Sequence, residues 1–243
     1  MKNCRLKIFC DFDGTVTKND VWFTSLARFV EHKDELKNIS DDFVAGKISG
    51  RDVTELHMRL VSGFSEALFR SYLDEEEIDE SFPRLIEYCR RTGDDIFVVS
   101  SGLEFYVSYI LMRHGISVQH FGISHLVDYG KGTMKGVYNY ADEHCEDCAM
   151  CKRNILLAKS SDLAGEVSVY IGDGASDFCV SRYADVVFAK GRLASHCWKN
   201  NITYYEFKTF DDIIKKLEKL RTAGKLRHRQ EAAVRRKDAF LGG

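Results

Sequence analysis

The sequence predicts an α/β fold, in which a Rossmann-like parallel sheet carries helices on both faces and a separate helical segment is inserted. Three observations lead to this prediction. Short apolar runs rich in β-branched and aromatic residues recur along the chain, amphipathic helical patterns lie between them, and one long stretch near the N-terminus lacks such runs. The chain has 243 residues, which is enough for one large domain with a smaller insert.

The apolar runs predict strands that are covered on both faces, because they are nearly continuous rather than alternating. They lie at residues 6–10, 96–99 and 167–171, with further candidates at 185–189 and 202–205. Helical spacing of apolar residues predicts helices at 82–91, 104–114, 153–160 and 210–220. Strands that alternate with helices favour a parallel sheet, and ligands of such sheets bind at the carboxyl ends of the strands.

Residues 17–81 interrupt this alternation. They contain no convincing buried strand and instead show amphipathic segments around 21–29, 53–60 and 66–73. We therefore predict a helical subdomain at 17–81, inserted into an α/β core formed by residues 1–16 and 82–243. A second insert at 123–140 alternates around a Gly-rich turn, which predicts a hairpin.

Composition restricts the class of protein. Hydrophobic residues make up 44% and charged residues 30%, as in globular proteins, and no apolar run reaches the roughly 18–20 residues of a membrane span. The start of the chain lacks the pattern of a signal peptide, so we expect a cytoplasmic protein with reduced cysteines and no membrane partner.

The C-terminal stretch is basic. Residues 221–243 carry seven Lys or Arg and two Asp or Glu. Such a tail can bind nucleic acid or another acidic surface, whereas the simpler interpretation is a solvated helix. The simpler interpretation is preferred here, and nucleic acid is not an expected partner. The sequence leaves a homodimer open.

Two carboxylates follow the first predicted strand in the stretch DFDGT, residues 11–15. Asp11 and Asp13 point to the same side of an extended chain. Like charges this close repel each other, and burial increases the cost. A bound cation would offset that repulsion.

Other polar stretches follow predicted strands or open a helix: SSG at 100–102, Lys152, and GDGASD at 172–177. We expect them to converge on one pocket, because the ends of parallel strands meet at one edge. The pocket would hold Mg²⁺ ligands (Asp11, Asp13, Asp173, Asp177) and groups for anionic oxygens (Ser100, Ser101, Lys152). This set suits a phosphate ester, and a carboxylate can attack phosphorus to form an aspartyl-phosphate.

In this order, DFDGT, SSG, CK and GDGASD resemble the four motifs of haloacid dehalogenase (HAD)-type phosphatases. The resemblance implies that Asp11 is the nucleophile and that Asp13 is the general acid and base, with its backbone carbonyl on Mg²⁺. It implies that Asp173 is a further metal ligand and that Asp177 holds a metal-bound water.

The same resemblance implies that Ser100 and Lys152 bind phosphoryl oxygens. Ser101 stands where many relatives have glycine, and its backbone N–H can still serve.

The insert resembles the helical cap of the phosphoserine-phosphatase-like branch. In that branch an acidic residue shortly after the first motif faces the substrate, and Asp20 occupies this place. The alternative for Asp20 is an N-cap of a helix that starts at Val21. Arg59 and Arg51 could reach a substrate carboxylate, whereas solvated surface is the preferred interpretation for both.

A cysteine cluster precedes Lys152 in the stretch HCEDCAMCKRN. It is similar to stretches in methionine-salvage phosphatases that act on 2-hydroxy-3-keto-5-methylthiopentenyl-1-phosphate and in phosphoethanolamine/phosphocholine phosphatases. Cys145, Cys148 and Cys151 have a spacing that could supply three thiolates to a structural Zn²⁺. The fourth ligand would come from His120, His125, His144 or His196. The alternative is a reduced, partly buried loop.

The sequence therefore predicts Mg²⁺-dependent hydrolysis of a small phosphomonoester through an aspartyl-phosphate. The methionine-salvage compound is the first candidate substrate, and phosphoserine, phosphoethanolamine and phosphocholine are alternatives. A phosphotransferase would use the same residues. A non-catalytic regulatory module would have lost Asp11 or Asp13, and both are present.

Overall fold

The computed structural model describes residues 4–163 and 165–240. A seven-stranded sheet lies at the centre of this part of the chain. Its strands are β1 (Leu6–Cys10), β2 (Asp95–Leu103), β3 (Gln119–Asp128), β4 (Thr133–Val137), β5 (Val167–Gly172), β6 (Val186–Ala189) and β7 (Tyr205–Glu206). Their order in the sheet is β4-β3-β2-β1-β5-β6-β7. Neighbouring strands are parallel except for β3 and β4, which form an antiparallel hairpin. The predicted α/β class is confirmed.

The helices connect these strands and fill the insert. They are α1 (Val21–Thr24), α2 (Lys33–Val44), α3 (Gly50–Leu60), α4 (Glu66–Leu73), α5 (Phe82–Thr92), α6 (Glu104–Arg113), α7 (Lys152–Lys159), α8 (Phe178–Ser181), α9 (Gly191–Lys199), α10 (Phe210–Thr222) and α11 (Gln230–Phe240). Short 3₁₀ turns lie at Leu26–Phe29 and Ala175–Asp177. Within the described part of the chain, no helix combines the length and the apolar character needed to cross a membrane.

Strand β1 lies in the middle of the sheet and is the centre of the core. It pairs in parallel with β2 on one side and with β5 on the other. Leu6, Ile8 and Phe9 are fully buried, and the Phe9 ring stacks on Phe97 with centroids 5.2 Å apart. Burial of each such side chain contributes about 1.5–3 kcal/mol. The strand that ends at the DFDGT motif is therefore held rigidly from both faces.

The insert is joined to the core by two chain segments that pair with each other. Thr17 and Ile78 form an antiparallel bridge, and the Asp79 N–H donates to the Val16 carbonyl at 2.8 Å. Between these segments the structure has α1 to α4. Helix α3 starts at a capping box, in which Ser49 and Asp52 satisfy each other's backbone N–H groups. The division of the chain into a core and a cap domain at residues 17 and 81 stays a prediction.

The basic C-terminal stretch folds back onto the core. Arg236 is only 3% exposed, and its guanidinium lies 2.8 Å from Asp185 Oδ1 and 2.9 Å from Asp162 Oδ1. The backbone N–H of Arg229 also donates to Asp185 at 3.0 Å. The interpretation of this stretch as a solvated helix is therefore wrong for the face that carries Arg236, because an ion pair there is buried against the sheet.

We expect Arg236→Ala to destabilise the protein by about 3 kcal/mol, because removal of one partner leaves the buried carboxylate of Asp185 without its charge partner. The free energy of unfolding from urea titration would measure this. Arg235→Ala is the matched control, since Arg235 is exposed on the same helix. Equal stabilities of the two variants would contradict the importance of the buried pair.

Candidate active site

The acidic motif residues come together at the carboxyl ends of β1 and β5. One carboxylate oxygen each from Asp11, Asp173 and Asp177 lie within 4.8 Å of one another. Asp11 is 4% exposed, and Asp177 is fully buried. The neighbouring positions of β1 and β5 in the sheet bring these residues together, although more than 160 positions separate them in the chain. The cluster has the hard oxygen donors that Mg²⁺ prefers.

Lys152 lies inside this cluster at the first position of α7. Its Nζ is 2.6 Å from Asp11 Oδ1 and 2.7 Å from Asp177 Oδ1, and the side chain is buried. Burial alone would favour the neutral amine, but the two carboxylates outweigh it and raise the pKa of Lys152 above its usual value. Lys152 is therefore a fixed positive charge beside Asp11.

The carboxylate of Asp177 supports the loop of the fourth motif. Its Oδ1 accepts from Lys152 and from the Tyr170 hydroxyl at 2.5 Å, and its Oδ2 accepts from the backbone N–H groups of Asp173 and Gly174, both at 3.0 Å. Both oxygens are thus used within the protein. The Asp173 carboxylate accepts fewer hydrogen bonds: Thr15 donates to its Oδ1 at 2.6 Å.

The carboxylate of Asp13 is held by three donors from different elements. Its Oδ2 accepts from the hydroxyls of Ser100 and Tyr106, both at 2.9 Å, and its Oδ1 accepts from the Val21 N–H at 3.1 Å. Burial raises the pKa of Asp13 to about 6, although these hydrogen bonds act in the opposite direction. Sequence reasoning missed Tyr106. The sequence did contain one indication of its role: a tyrosine on the apolar face of the helix that directly follows the second motif. A buried tyrosine hydroxyl needs a hydrogen-bond partner, and the motif residues lie nearby.

The two serines of the second motif have different surroundings. Ser100 is fully buried, donates to Asp13 and accepts from the Gly102 N–H at 2.9 Å. Ser101 lines the open cavity instead. The structure therefore places the Ser100 hydroxyl on Asp13, rather than toward the space where a phosphoryl group would enter.

A cavity of about 610 Å³ opens above the acidic cluster, between the core and the insert. Its core wall includes Asp11, Asp13, Ser101, Asp173 and Arg192. Its insert wall is mostly apolar and includes Trp22, Phe23, Phe43, Val44, Val53 and His57. His57 is buried and its Nε2 lies 3.2 Å from the Leu36 carbonyl. Burial lowers the pKa of His57 to about 4, so this wall carries a neutral imidazole near pH 7.

Asp20 is the N-cap of α1 and also lies on the cavity wall. Its Oδ1 accepts from the Trp22 N–H at 3.0 Å. Desolvation and the nearby charge of Asp13 raise the pKa of Asp20 to about 7.

The structure does not bring Arg59 or Arg51 to the cavity. The Arg59 side chain is 72% exposed and lies 3.5 Å from Glu55, while Arg51 lies over the ring of Tyr138. The arginine that lines the cavity is Arg192 at the start of α9, which sequence reasoning missed. Sequence spacing alone could not show which face of α3 turns toward the core.

The cysteine cluster lies in a loop that reaches the cavity at Cys148. Cys145, Cys148 and Cys151 are free, and the described residues contain no group of three such sulfurs close enough to share an ion. Burial raises the pKa of Cys148 to about 12, which keeps the thiol protonated. The Zn²⁺ prediction is not supported. Cys148 lines the cavity together with Cys179 of α8.

Backbone contacts join this loop and the hairpin to the insert. The Gly50 N–H donates to the Asp147 carbonyl at 2.7 Å, and the Phe64 N–H donates to the Gly132 carbonyl at 3.0 Å. A Cβ on Gly50 would lie 2.9 Å from the Asp147 carbonyl oxygen, and one on Gly132 would lie 2.7 Å from the Gly63 Cα. Glycine is required at both places because two backbones meet there.

Buried carboxylates at the ends of parallel strands, with a lysine at the start of a helix beside them, suit the charge stabilisation that phosphoryl transfer requires. Comparison with known proteins defines the group more closely. The family model of haloacid dehalogenase-like hydrolases matches residues 8–182. The chain belongs to this family.

Curated relatives match over most of their length. The 2-hydroxy-3-keto-5-methylthiopentenyl-1-phosphate phosphatase of Bacillus cereus (strain B4264) is 28% identical over 219 residues, which cover 88% of this chain and 97% of the relative. The enzyme of the same name from Exiguobacterium sp. (strain ATCC BAA-1283 / AT1b) is 30% identical over 209 residues, which cover 85% and 94%. The prediction of a phosphatase of the HAD family is confirmed.

Solved structures show the same fold. A phospho-aspartyl intermediate analogue of phosphoserine phosphatase superposes with a TM-score of 0.68 at 21% identity, covering 88% of this chain and 99% of that chain. At this identity the likeness concerns the fold.

We expect Gly50→Ala to raise KM by about fivefold, because the added methyl group meets the Asp147 carbonyl and displaces the loop at a cost of about 1 kcal/mol. Steady-state kinetics would measure the change. Helix α3 itself should not suffer, since alanine is the better helix former. Glu146→Ala, at an exposed position of the same loop, is the control. An unchanged KM in Gly50→Ala would show that the loop contact does not shape the cavity.

Proposed function

We propose that this chain is a Mg²⁺-dependent phosphatase that hydrolyses a small phosphomonoester through an aspartyl-phosphate on Asp11. One observation carries the proposal: the buried Asp11 carboxylate lies within a cluster of acids and is fixed by Lys152. A cytoplasmic location and a homodimer stay predictions.

The residues of the site fit a divalent cation. Asp11, Asp173 and Asp177 bring three negative charges to one place, whereas Lys152 supplies a single positive charge there. Because both oxygens of Asp177 already accept hydrogen bonds, Asp11, Asp173 and the backbone carbonyl of Asp13 would hold the ion. Bound Mg²⁺ would neutralise charge on the phosphoryl group during transfer.

The first step is attack by Asp11 on phosphorus. Oδ1 of Asp11 accepts a hydrogen bond from Lys152, which leaves Oδ2 as the oxygen that forms the new bond. The bond between phosphorus and the leaving alcohol oxygen breaks, and Asp13 gives its proton to that oxygen. Ser100, the Ser101 N–H and Lys152 would hold the phosphoryl oxygens meanwhile.

The second step is hydrolysis of the aspartyl-phosphate. Asp13, now deprotonated, takes a proton from a water molecule, whose oxygen attacks phosphorus. Phosphate leaves, and the Asp11 carboxylate is restored. The insert above the cavity would exclude bulk water during the first step and admit the reacting water for the second.

We propose 2-hydroxy-3-keto-5-methylthiopentenyl-1-phosphate as the substrate. The relatives named for this substrate support it, and so does the insert wall of the cavity. Trp22, Phe43 and Val53 provide apolar surface for a thioether tail, and His57 beside them is neutral. Phosphoserine would need a cation for its carboxylate. The described residues of the insert wall supply none, since Arg59 lies outside the cavity and Arg192 lies on the core wall.

A second candidate class is phosphocholine or phosphoethanolamine. Asp20 lies on the cavity wall next to Trp22 and Phe23, and an acid with aromatic neighbours suits an ammonium group. A phosphotransferase would use the same acidic residues and would differ only in passing the phosphoryl group to an alcohol instead of water.

We expect Asp11→Asn to lower turnover of p-nitrophenyl phosphate by at least about a thousandfold, because an amide cannot attack phosphorus. Chelation with EDTA should abolish turnover, and Mg²⁺ should restore it. Asp34→Asn is the control, since Asp34 is an exposed acid on α2. Retained turnover in Asp11→Asn would rule out the aspartyl-phosphate route.

We also expect kcat/KM for the keto-enol phosphate to exceed that for phosphocholine and for phosphoserine by at least about tenfold, because the insert wall is apolar. Release of inorganic phosphate from each purified compound would measure this. A preference for phosphocholine that Asp20→Asn removes would assign the second class instead.

A further inference from the structure

The buried hydroxyl group of Tyr106 is hydrogen-bonded to Asp13, the acid that the proposed mechanism uses for proton transfer. The Tyr106 side chain is fully buried on α6, and its hydroxyl donates to Asp13 Oδ2 at 2.9 Å. The strand before it makes room for this contact, since a Cβ on Gly102 would lie 1.4 Å from the Tyr106 hydroxyl oxygen. We propose that Tyr106 is the positioning residue that holds Asp13 during proton transfer; this inference rests on the proposed function.

Ser100 cannot fill that role throughout the reaction. A serine hydroxyl has a single proton to donate. In this structure the proton goes to Asp13 Oδ2, at 2.9 Å. When the same hydroxyl donates to a phosphoryl oxygen, Asp13 loses it, and Tyr106 is the hydroxyl that remains on Oδ2. The second hydroxyl therefore keeps the carboxyl group in place when substrate binds.

The hydrogen bonds also distinguish the two oxygens of Asp13. Oδ2 accepts two hydroxyl protons, which use both of its lone pairs. Oδ1 accepts only the Val21 N–H, at 3.1 Å, so it has a lone pair left. In this arrangement Oδ1 is therefore the oxygen with room for a further hydrogen bond. During the first step the O–H bond of Asp13 breaks as the O–H bond of the leaving alcohol forms, and a water proton returns to the Asp13 carboxylate in the second step.

The Tyr106 ring is packed independently of its hydroxyl. It lies 6.3 Å from the Phe12 ring of the first motif and 6.5 Å from the Phe69 ring of α4, measured between centroids. Tyr106→Phe retains these ring contacts and removes only the donor, which makes it a specific test of the hydroxyl.

The test compares two leaving groups of similar shape. Phenol leaves from phenyl phosphate with an oxygen as basic as that of tyrosine (pKa about 10), and so needs protonation. The nitro group of p-nitrophenyl phosphate stabilises the phenolate, which leaves with little help from an acid. A hydrogen bond to a charged group is worth about a tenfold change or more. We expect Tyr106→Phe to lower kcat/KM for phenyl phosphate at least about tenfold and kcat/KM for p-nitrophenyl phosphate less than about threefold, because kcat/KM reports the first step, in which the leaving groups differ, and not the common hydrolysis of the aspartyl-phosphate.

The ratio of the two kcat/KM values does not depend on how much of the variant is folded, so a loss of stability cannot imitate the result. Tyr109→Phe is the matched control: it removes a hydroxyl from the same helix, where Tyr109 donates to Asp74 at 2.8 Å on the surface. Its ratio should equal that of the wild type. An equal loss on both substrates in Tyr106→Phe, or no loss, would overturn the inference.

Failure of the inference and failure of the proposed function give different results. If the wild type hydrolyses both aryl phosphates and Asp11→Asn hydrolyses neither, while Tyr106→Phe leaves the ratio unchanged, only the role of Tyr106 is wrong. If Asp11→Asn remains active, both the aspartyl-phosphate route and the role of Tyr106 are wrong.

Discussion

The repulsion among acids gathered at one edge of the sheet is the constraint on which the rest of the structure depends. Asp11, Asp173 and Asp177 lie close together in a place with little water, where like charges are costly. The surrounding protein offsets this repulsion with the positive charge of Lys152 beside Asp11 and with hydrogen-bond donors such as the Tyr170 hydroxyl, which donates to Asp177. Strand β1 must therefore be rigid, since a small displacement of its end would separate the acids from these donors. The fully buried side chains of Leu6, Ile8 and Phe9 in that strand supply the rigidity.

Much of this arrangement could be predicted because it is local in sequence. A nearly continuous apolar run identifies β1. A motif that directly follows a parallel strand must lie at the carboxyl ends of the strands, where ligands bind. Features that depend on distant partners could not be predicted. Tyr106 looks like any apolar helix residue until the structure places its hydroxyl on Asp13. The predicted segments do not include helix α2, which buries only Leu36. The spacing of apolar residues in α3 did not decide between substrate and solvent for Arg59, which the structure places in solvent.

The cavity divides the work of recognition between its two walls. The core wall carries the charged groups that a phosphoryl group requires, whereas the insert wall supplies aromatic and aliphatic surface with Asp20 and a neutral His57. The core wall would thus hold the phosphoryl group of a phosphomonoester, and the insert wall would select the rest of the molecule by its shape. Changes in substrate preference would arise in the insert, without disturbance of the acids.

The glycine contacts between the insert and the core have a consequence for the shape of the cavity entrance. At Gly50 with Asp147, and at Gly132 with Gly63, main chains touch without any side chain between them. Close contact of this kind leaves little room for adjustment, because neither backbone can rotate away as a side chain can. At these two points the fit between the insert and the core therefore depends on main-chain atoms, so a side chain introduced at either glycine would change the shape of the cavity entrance.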